Sequence, residues 1–339
     1  MTQIFTIIAA IVIFAVLIFV HEAGHFITAK LSGVKVLEFA LGMGPKVISF
    51  KKGETLYSLR ALPLGGFCSM EGEDGGSDDA RSFANKPAWK RFIVLISGAV
   101  MNILLGFLLL CILFSTQSTY ISNKVSNVTE NSAAARTGML SGDVIEEING
   151  KNVNIGADVQ YFAMSAGEEN EIKVKRDGKK LVLNIDKTQD EPFGITLATE
   201  EMTPLLVLRQ SYYQTFFYSK VIIESLLDLI RGRASVENMS GAIGIVSEIG
   251  NAVEEGMAEG GSMLRLLSLT ILLTINLGIF NVLPIPALDG GRILFVLIEM
   301  ITKKRLPPEK EGMVHMIGFA VLIAFAIFIS YLDVLKIVK

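Results

Sequence analysis

Four long hydrophobic runs, separated by polar stretches, dominate the pattern of apolar and polar positions along the chain. They cover residues 4–29, 92–114, 266–283 and 313–331. Each run is long enough for a helix to cross a hydrocarbon layer about 30 Å thick. The third run ends at Pro284 and Pro286, after which a helical pattern resumes as far as Met300. The pattern predicts a polytopic α-helical membrane protein with four transmembrane helices.

Short strand-like segments lie between the first two runs. Val34–Phe39 and Thr55–Leu59 are rich in β-formers, whereas the glycine- and proline-containing stretches 42–45 and 63–66 have the composition of turns. These segments predict a small membrane-associated β-sheet within residues 34–70.

The composition becomes that of a soluble domain between residues 120 and 200. Residues 171–175 and 180–185, joined through Asp-Gly, predict a β-hairpin, and 156–166 predict a short helix. The stretch 138–150, a turn followed by an alternating strand and a second turn, resembles a PDZ domain of the bacterial type. Such domains bind an extended peptide by adding it as a strand to their sheet. We therefore expect one inserted PDZ domain, β-rich and of the α+β class.

Residues 204–231 are apolar enough to be taken for another span, but charged side chains recur in them at helical spacing. A polar stripe of this kind is typical of an amphipathic helix in the membrane interface. The predicted organisation is a membrane region at 1–119, the PDZ domain at 120–200, an amphipathic interfacial region at 201–262 and a second membrane region at 263–339.

The distribution of charge predicts which side of the membrane each segment lies on. The 339 residues are 51% hydrophobic, with a mean hydropathy of +0.49, which is too apolar for an ordinary soluble protein. Ten basic residues lie between Lys30 and Arg91, whereas none precedes the first run. Because cytoplasmic loops are enriched in Lys and Arg, we expect the N-terminus and the PDZ domain outside and this loop inside.

Three smaller expectations follow from the same features. The acidic run 71–79 is interpreted as a solvated loop. Cys68 and Cys111 are expected to remain unpaired, since one falls in a cytoplasmic segment and the other in a span. The first run lacks the basic start and the cleavage site of a signal peptide, so we expect it to be retained as an anchor.

The first run ends in the ionisable cluster His21-Glu22-Ala23-Gly24-His25. The two histidines are four residues apart, so they project from one helix face and can hold one zinc ion through their ring nitrogens. Glu22 would lie beside that ion, where a carboxylate serves as the general base toward water in zinc hydrolases. Because ionisable groups in a bilayer are costly, their presence there indicates a functional site.

A catalytic zinc site needs a third protein ligand, and Asp289 is the acid that an apolar segment supplies. At about 1.5 Å per residue, His21 lies roughly 27 Å and Asp289 roughly 35 Å from the start of their runs, so both reach a similar depth near the cytoplasmic side. Pro284 and Pro286 interrupt the helix there and free backbone groups to line a cavity. The alternative for Asp289 is a helix cap, and His315 is interpreted as an interfacial residue.

Together these motifs resemble the site-2 protease family of intramembrane zinc metalloproteases, in the branch of the bacterial regulator-of-sigma-E proteases. The features that carry the resemblance are His-Glu-x-x-His, the Asn281-x-x-Pro284-x-Pro286-x-Leu288-Asp289-Gly290 segment, the Gly98-x-x-x-Asn102 segment, the Pro63-to-Gly66 loop and the single PDZ domain.

The resemblance implies that His21, His25 and Asp289 hold Zn²⁺ and that Glu22 is the general base. It implies that Asn102 and Asn281 position the substrate or the oxyanion of the reaction. It further implies a location in the bacterial cytoplasmic membrane, where the partners are lipid and single-span membrane proteins, such as anti-sigma factors and remnant signal peptides, and not nucleic acid. Members of this branch have one or two PDZ domains, and this chain has room for one.

Two other classes of function stay open at this point. In a non-catalytic membrane adaptor, the PDZ domain would capture protein tails and the zinc site would be structural. In a metal transporter, the intramembrane ligands would form a transit site, which predicts several ligand sets along a pathway. An intact Glu22 beside a single ligand set favours the peptidase.

Overall fold

The computed structural model describes residues 2–73, 75, 77–188, 191–234, 240–258, 263–305 and 307–338. The chain divides into two compact units, residues 1–109 with 221–339 and residues 110–220. Within the described residues the α-helices are α1 (Thr2–Leu31), α2 (Ala88–Ser115), α3 (Ala133–Arg136), α4 (Gly156–Met164), α5 (Pro204–Ile230), α6 (Ala242–Met257), α7 (Leu264–Val282), α8 (Asp289–Thr302) and α9 (Pro308–Val338). The β-strands are β1 (Val36–Lys52), β2 (Thr55–Met70), β3 (Thr119–Val128), β4 (Val144–Ile148), β5 (Lys151–Asn152), β6 (Glu169–Arg176), β7 (Lys179–Asp186) and β8 (Ile195–Glu201).

Four helices are long and apolar enough to cross a membrane. The candidate spans are Gln3–Leu31, Ala88–Ser115, Leu264–Val282 and Glu309–Lys336. They confirm the four predicted transmembrane helices, each at the expected place in the chain. Many of their apolar side chains are exposed on the protein surface, as expected for helices that face lipid.

The segment between the first two spans forms a long antiparallel ribbon of β1 and β2. The prediction of a sheet is confirmed, but the predicted turns at 42–45 and 63–66 are wrong, since both stretches lie inside strands. Glycines with positive φ in both stretches let the strands bend there without ending. Residues 38–41 of β1 each have two partners in β2, one at 56–59 and one at 66–69. The two halves of the bent strand β2 therefore lie on either side of the start of β1.

The acidic run after β2, predicted as a solvated loop, is held by ion pairs to neighbouring elements. The Lys35 ammonium pairs with Glu71 at 3.0 Å and with Asp79 at 3.2 Å, and Glu73 pairs with Arg292 of α8. Residues 74 and 76 of this run lie outside the described part of the chain. The ion pairs tie the run to the membrane region.

α1 is packed against different partners at its two ends. Toward its start, Ala10, Ile13 and Leu17 form a buried cluster with Ile249 and Val253 of α6. Toward its end, it contributes to a second cluster that contains parts of the ribbon, α2 and α8. This packing fixes the helix that carries both histidines.

α6 was not predicted as a separate helix, because the sequence interpretation merged it into the interfacial region 201–262. Its N-terminal amides at Gly241 and Gly244 donate to the Asp333 carboxylate of α9, each at 2.9 Å. Such a carboxylate replaces the missing hydrogen bonds at a helix start. α5 confirms the helix predicted at 204–231, and its placement in the interface stays a prediction.

The second unit is built around a mixed α+β core. Its strands follow the order β7-β6-β4-β3-β8, with β5 paired to β4. The predicted hairpin is confirmed as β6 and β7, with Lys175 opposite Lys180, and the predicted short helix is confirmed as α4. Buried side chains from these strands and α4 form one continuous cluster.

One ion pair is embedded in this unit. The Asp143 carboxylate is fully buried and accepts two hydrogen bonds from Arg176, at 2.7 Å each, and one from the Leu140 amide at 2.9 Å. Burial by itself raises the pKa of a carboxyl, but the hydrogen bonds to Arg176 and Leu140 outweigh it and hold the pKa of Asp143 below its usual value.

Candidate metal centre

Three side chains predicted as ligands converge in the first unit. His21 and His25 project from the same face of α1, and their Nε2 atoms are 3.2 Å apart. The Asp289 Oδ2 atom, at the start of α8, lies 3.0 Å from His21 Nε2 and 3.2 Å from His25 Nε2. Among the described residues, these are the three that could together hold a metal ion.

The break between α7 and α8 brings Asp289 to the histidines. α7 ends at Val282, ahead of the two prolines, and α8 begins at Asp289 itself. Ala287 in the connection has a φ of +78°, and its amide donates to His315 Nδ1 of α9 at 2.9 Å. His315 therefore supports the connecting loop and does not belong to the ligand cluster.

The arrangement fits a zinc ion. Ligand atoms about 2.0–2.2 Å from a tetrahedral ion are separated by roughly 3.3 Å, close to the three separations measured here. His25 Nδ1 donates to the Val94 carbonyl of α2 at 2.8 Å, which leaves Nε2 available to a metal. The Asn102 side-chain nitrogen Nδ2 lies 3.3 Å from Nδ1 of the other ring, that of His21. Two imidazoles and one carboxylate are the donor set of a catalytic zinc site.

Gly98 of α2 provides the space for the imidazoles. A Cβ atom at this position would lie 2.5 Å from His25 Nε2 and 2.7 Å from His21 Cε1. Real Cβ atoms do not approach so closely, so any other residue would displace the rings. The close contact explains why the α2 segment beside the motif contains glycine.

A cavity of about 580 Å³ opens beside the three ligands. Glu22, His25 and Asp289 line it, together with the end of β2 and Arg292. The backbone of β2 passes over α1 so closely that a Cβ on Gly66 would lie 3.3 Å from Glu22 Cγ. The predicted base therefore lies where the ribbon, the helix and the cavity meet.

The two asparagines predicted from the resemblance are buried and lie away from the cavity wall. Asn102 is fully buried and directed at His21, and Asn281 of α7 is 9% exposed. The residues that line the cavity do not include either of them. Sequence reasoning missed the Val94 carbonyl and the Glu73–Arg292 ion pair, because backbone acceptors leave no mark in a sequence and ion-pair partners distant in the chain share no motif.

A sequence model of peptidase family M50 matches residues 9–325, a range that includes every residue of the cluster. The chain belongs to peptidase family M50. This is the site-2 protease family that the motifs predicted. The M50 peptidase is 30% identical to the regulator of sigma-W protease RasP of Bacillus subtilis, over 97% of this chain and 98% of that protein.

Other relatives agree. The M50 peptidase is 30% identical to the zinc metalloprotease RasP of Geobacillus kaustophilus, over 98% of both chains. It is 36% identical to a protein of Clostridium acetobutylicum described provisionally as a zinc metalloprotease, over 97% of both chains. The M50 peptidase is therefore a membrane-embedded zinc metalloprotease with Zn²⁺ as its cofactor.

Proposed function

We propose that this chain is an intramembrane endopeptidase that cleaves single-span membrane proteins within the bilayer. The observation that carries the proposal is the convergence of His21, His25 and Asp289 on one point beside a cavity. α1, which supplies the two histidines, is a candidate transmembrane segment, and Asp289 follows another such segment, Leu264–Val282, after the break between α7 and α8. A non-catalytic adaptor is disfavoured by membership in a peptidase family, and a transporter by the single ligand cluster in the described part of the chain.

His21, His25 and Asp289 are the proposed ligands. When bound, zinc supplies a Lewis acid that polarises a carbonyl or a water molecule. Glu22 is the proposed general base, which accepts a proton from the attacking water and returns it to the leaving nitrogen. Its position on α1, one residue after the first ligand and on the cavity wall, supports that role.

We propose different roles for the two asparagines, Asn102 and Asn281. The contact of Asn102 with the His21 ring supports a positioning role, in which the side chain of Asn102 holds the orientation of that imidazole. This role differs from the substrate contact that the resemblance implies. For Asn281 we retain the proposed role in positioning the substrate or the oxyanion.

The end of β2 is the proposed docking edge for substrate. Residues 66–70 pair with β1 on one side, and all five line the cavity on the other. A transmembrane helix hides its amides in its own hydrogen bonds, so it must unwind before it can be cut. An unwound segment can pair with residues 66–70 as an added strand, and this would carry its backbone past Glu22.

Basic residues between the first two spans support an orientation with the N-terminus outside and the metal centre toward the cytoplasm. In that orientation the 120–200 segment, which we propose is a PDZ domain, is extracytoplasmic. We propose that it excludes substrates with bulky outer domains. Anti-sigma factors already clipped outside and remnant signal peptides fit this requirement, and a sigma-W regulator among the relatives supports the first class.

The proposed chemistry is tested with a Glu22→Gln variant. Wild type and variant are supplied with a panel of anti-sigma-type and signal-peptide spans, and the products are mapped by mass spectrometry. The variant should retain zinc and lose cleavage, because the amide cannot accept the proton. Persistent cleavage by Glu22→Gln would rule out this base.

The proposed screening role is tested separately. Deletion of residues 120–200 should permit cleavage of a substrate that still carries its outer domain, while cleavage of the trimmed substrate continues. If the untrimmed substrate stays intact when the trimmed one is cut, the domain does not screen by size.

A further inference from the structure

The last amide of the proposed docking edge is already occupied. The Met70 N–H donates to the Glu73 carboxylate, with Oε2 at 3.2 Å from the nitrogen. The next amide, that of Glu71, donates instead to the Lys35 carbonyl at 2.9 Å, on the β1 side. Because successive residues of a strand present their amides to opposite sides, Gly66 and Cys68 present theirs on the same side as Met70, away from β1.

Glu73 is held in place from the other wall of the cavity. Its carboxylate forms an ion pair with Arg292, and both side chains line the cavity and are partly buried. Arg292 follows Asp289 by three residues, so the two project from neighbouring positions on the first turn of α8. The helix that begins with the proposed ligand therefore also anchors Glu73.

The catalytic end of the edge is Gly66, whose backbone passes next to Glu22. Met70 is four positions after Gly66, which is about 13 Å along an extended strand. The proposed docking edge is thus a short strand segment that has Glu22 beside its first residue and the Glu73 carboxylate bound to its last amide.

We propose that Glu73 is a register stop for the bound substrate strand. This inference rests on the proposed docking of substrate to residues 66–70. By filling the Met70 amide, Glu73 ends the stretch that a substrate strand can pair with. The peptide bond that reaches Glu22 is then set by its distance from the stop, and Arg292 ties this distance to the metal centre.

The position of the cut tests the proposal. Wild type, Glu73→Ala, Glu73→Asp and Glu73→Gln are given the same single-span substrate, and each product terminus is located by mass spectrometry. In Glu73→Ala the Met70 amide is free, so the substrate strand can pair two residues farther along β2, and a second cut is expected two residues farther from the end that meets the stop. The displacement is two residues because a slip of one would reverse the face of every side chain.

The other two substitutions distinguish the length of the Glu73 side chain from its charge. Glu73→Asp keeps the charge but is one methylene shorter, so it should show the second cut. Glu73→Gln loses the charge but keeps an acceptor at the same reach, so it should cut mainly at the wild-type bond. Asp79→Asn, on the same acidic run but paired with Lys35 outside the cavity, is the matched control and should leave the cut unchanged.

The outcomes distinguish this inference from the function on which it rests. If wild type does not cut, or if the cut survives Glu22→Gln, the proposed function fails. If wild type makes a single Glu22-dependent cut and Glu73→Ala and Glu73→Asp cut at that same bond only, the register stop is refuted. Should Glu73→Ala not accumulate in the membrane, the comparison of Glu73→Asp with Glu73→Gln decides.

Discussion

Replacement of Gly98 by alanine should disable the metal centre while the helices stay folded. The new Cβ atom would lie 2.5 Å from His25 Nε2 and 2.7 Å from His21 Cε1. Heavy atoms in contact are normally about 3.5 Å apart, so the rings must retreat by roughly 1 Å. The His25 ring is held by its hydrogen bond to the Val94 carbonyl and cannot retreat without breaking it.

The expected effect is large because metal geometry tolerates little error. Ligand distances in a functional zinc site agree with ideal values to about 0.2 Å, so a 1 Å displacement is several times the tolerance. Loss of one supporting contact to a ligand typically weakens metal binding by about 10–100-fold. Displacement of two ligands together should weaken zinc binding by at least about 100-fold, which corresponds to roughly 2.7 kcal/mol.

The assay is zinc content per mole of purified, detergent-solubilised protein, followed during titration with a chelator, with substrate cleavage measured in parallel. Gly106→Ala is the matched control, because it adds the same methyl group to the same helix. Its Cβ would lie 2.5 Å from Ile275 Cγ1, which is a packing contact distant from the ligands. It should cost about 1–3 kcal/mol of stability and leave zinc content unchanged. Wild-type zinc retention by Gly98→Ala would refute the reasoning.

Three further predictions follow from buried polar contacts. Asn102→Ala should weaken zinc binding about 10–100-fold in the same titration while the protein stays folded, because the imidazole loses its orienting amide; unchanged binding would contradict the positioning role. Asp143→Asn should destabilise the second unit by about 3–5 kcal/mol, since Arg176 loses its partner. Because the pKa of Asp143 is lowered on folding, its stabilisation is present above the unfolded pKa near 4 and is lost as the pH falls below that value, which limited proteolysis at pH 7 and pH 3 can measure. Arg91→Met should lower the thermal unfolding midpoint, because it leaves the Glu299 carboxylate of α8 unpaired, and the double variant with Glu299→Met should recover part of the loss.

Local patterns predicted the membrane helices and the β6–β7 hairpin well. Helical spans depend on continuous apolar composition, and the hairpin depends on two alternating segments around an Asp-Gly turn, so both are encoded by neighbouring residues. The ribbon was predicted too short, because bent strands contain the same glycines and prolines as turns. α6 was missed, because its apolar face is explained only by the α1 surface that it covers.

His21 and His25 could be predicted as a pair from sequence, because a helix turns their spacing of four into a shared face without help from the rest of the fold, and Glu22 follows the first of them directly. Asp289 could be proposed only as an acid in an apolar segment, and its meeting with the histidines required the break between α7 and α8. The supporting contacts depend on how helices approach one another. The Val94 carbonyl, the space at Gly98 and the Glu73–Arg292 ion pair join residues that are far apart in the chain.

The sequence by itself therefore determined the membrane class, the family and the pairing of His21 and His25 on one helix face, because these rest on composition, motifs and spacing within one helix. Only the tertiary structure decided which atoms meet at the metal centre, that β2 passes over Glu22, and that the Glu73 carboxylate accepts from the Met70 amide at the end of β2. The physical reason is that a separation of about 3 Å between side chains on different elements is set by packing of whole helices and strands, which no local pattern records.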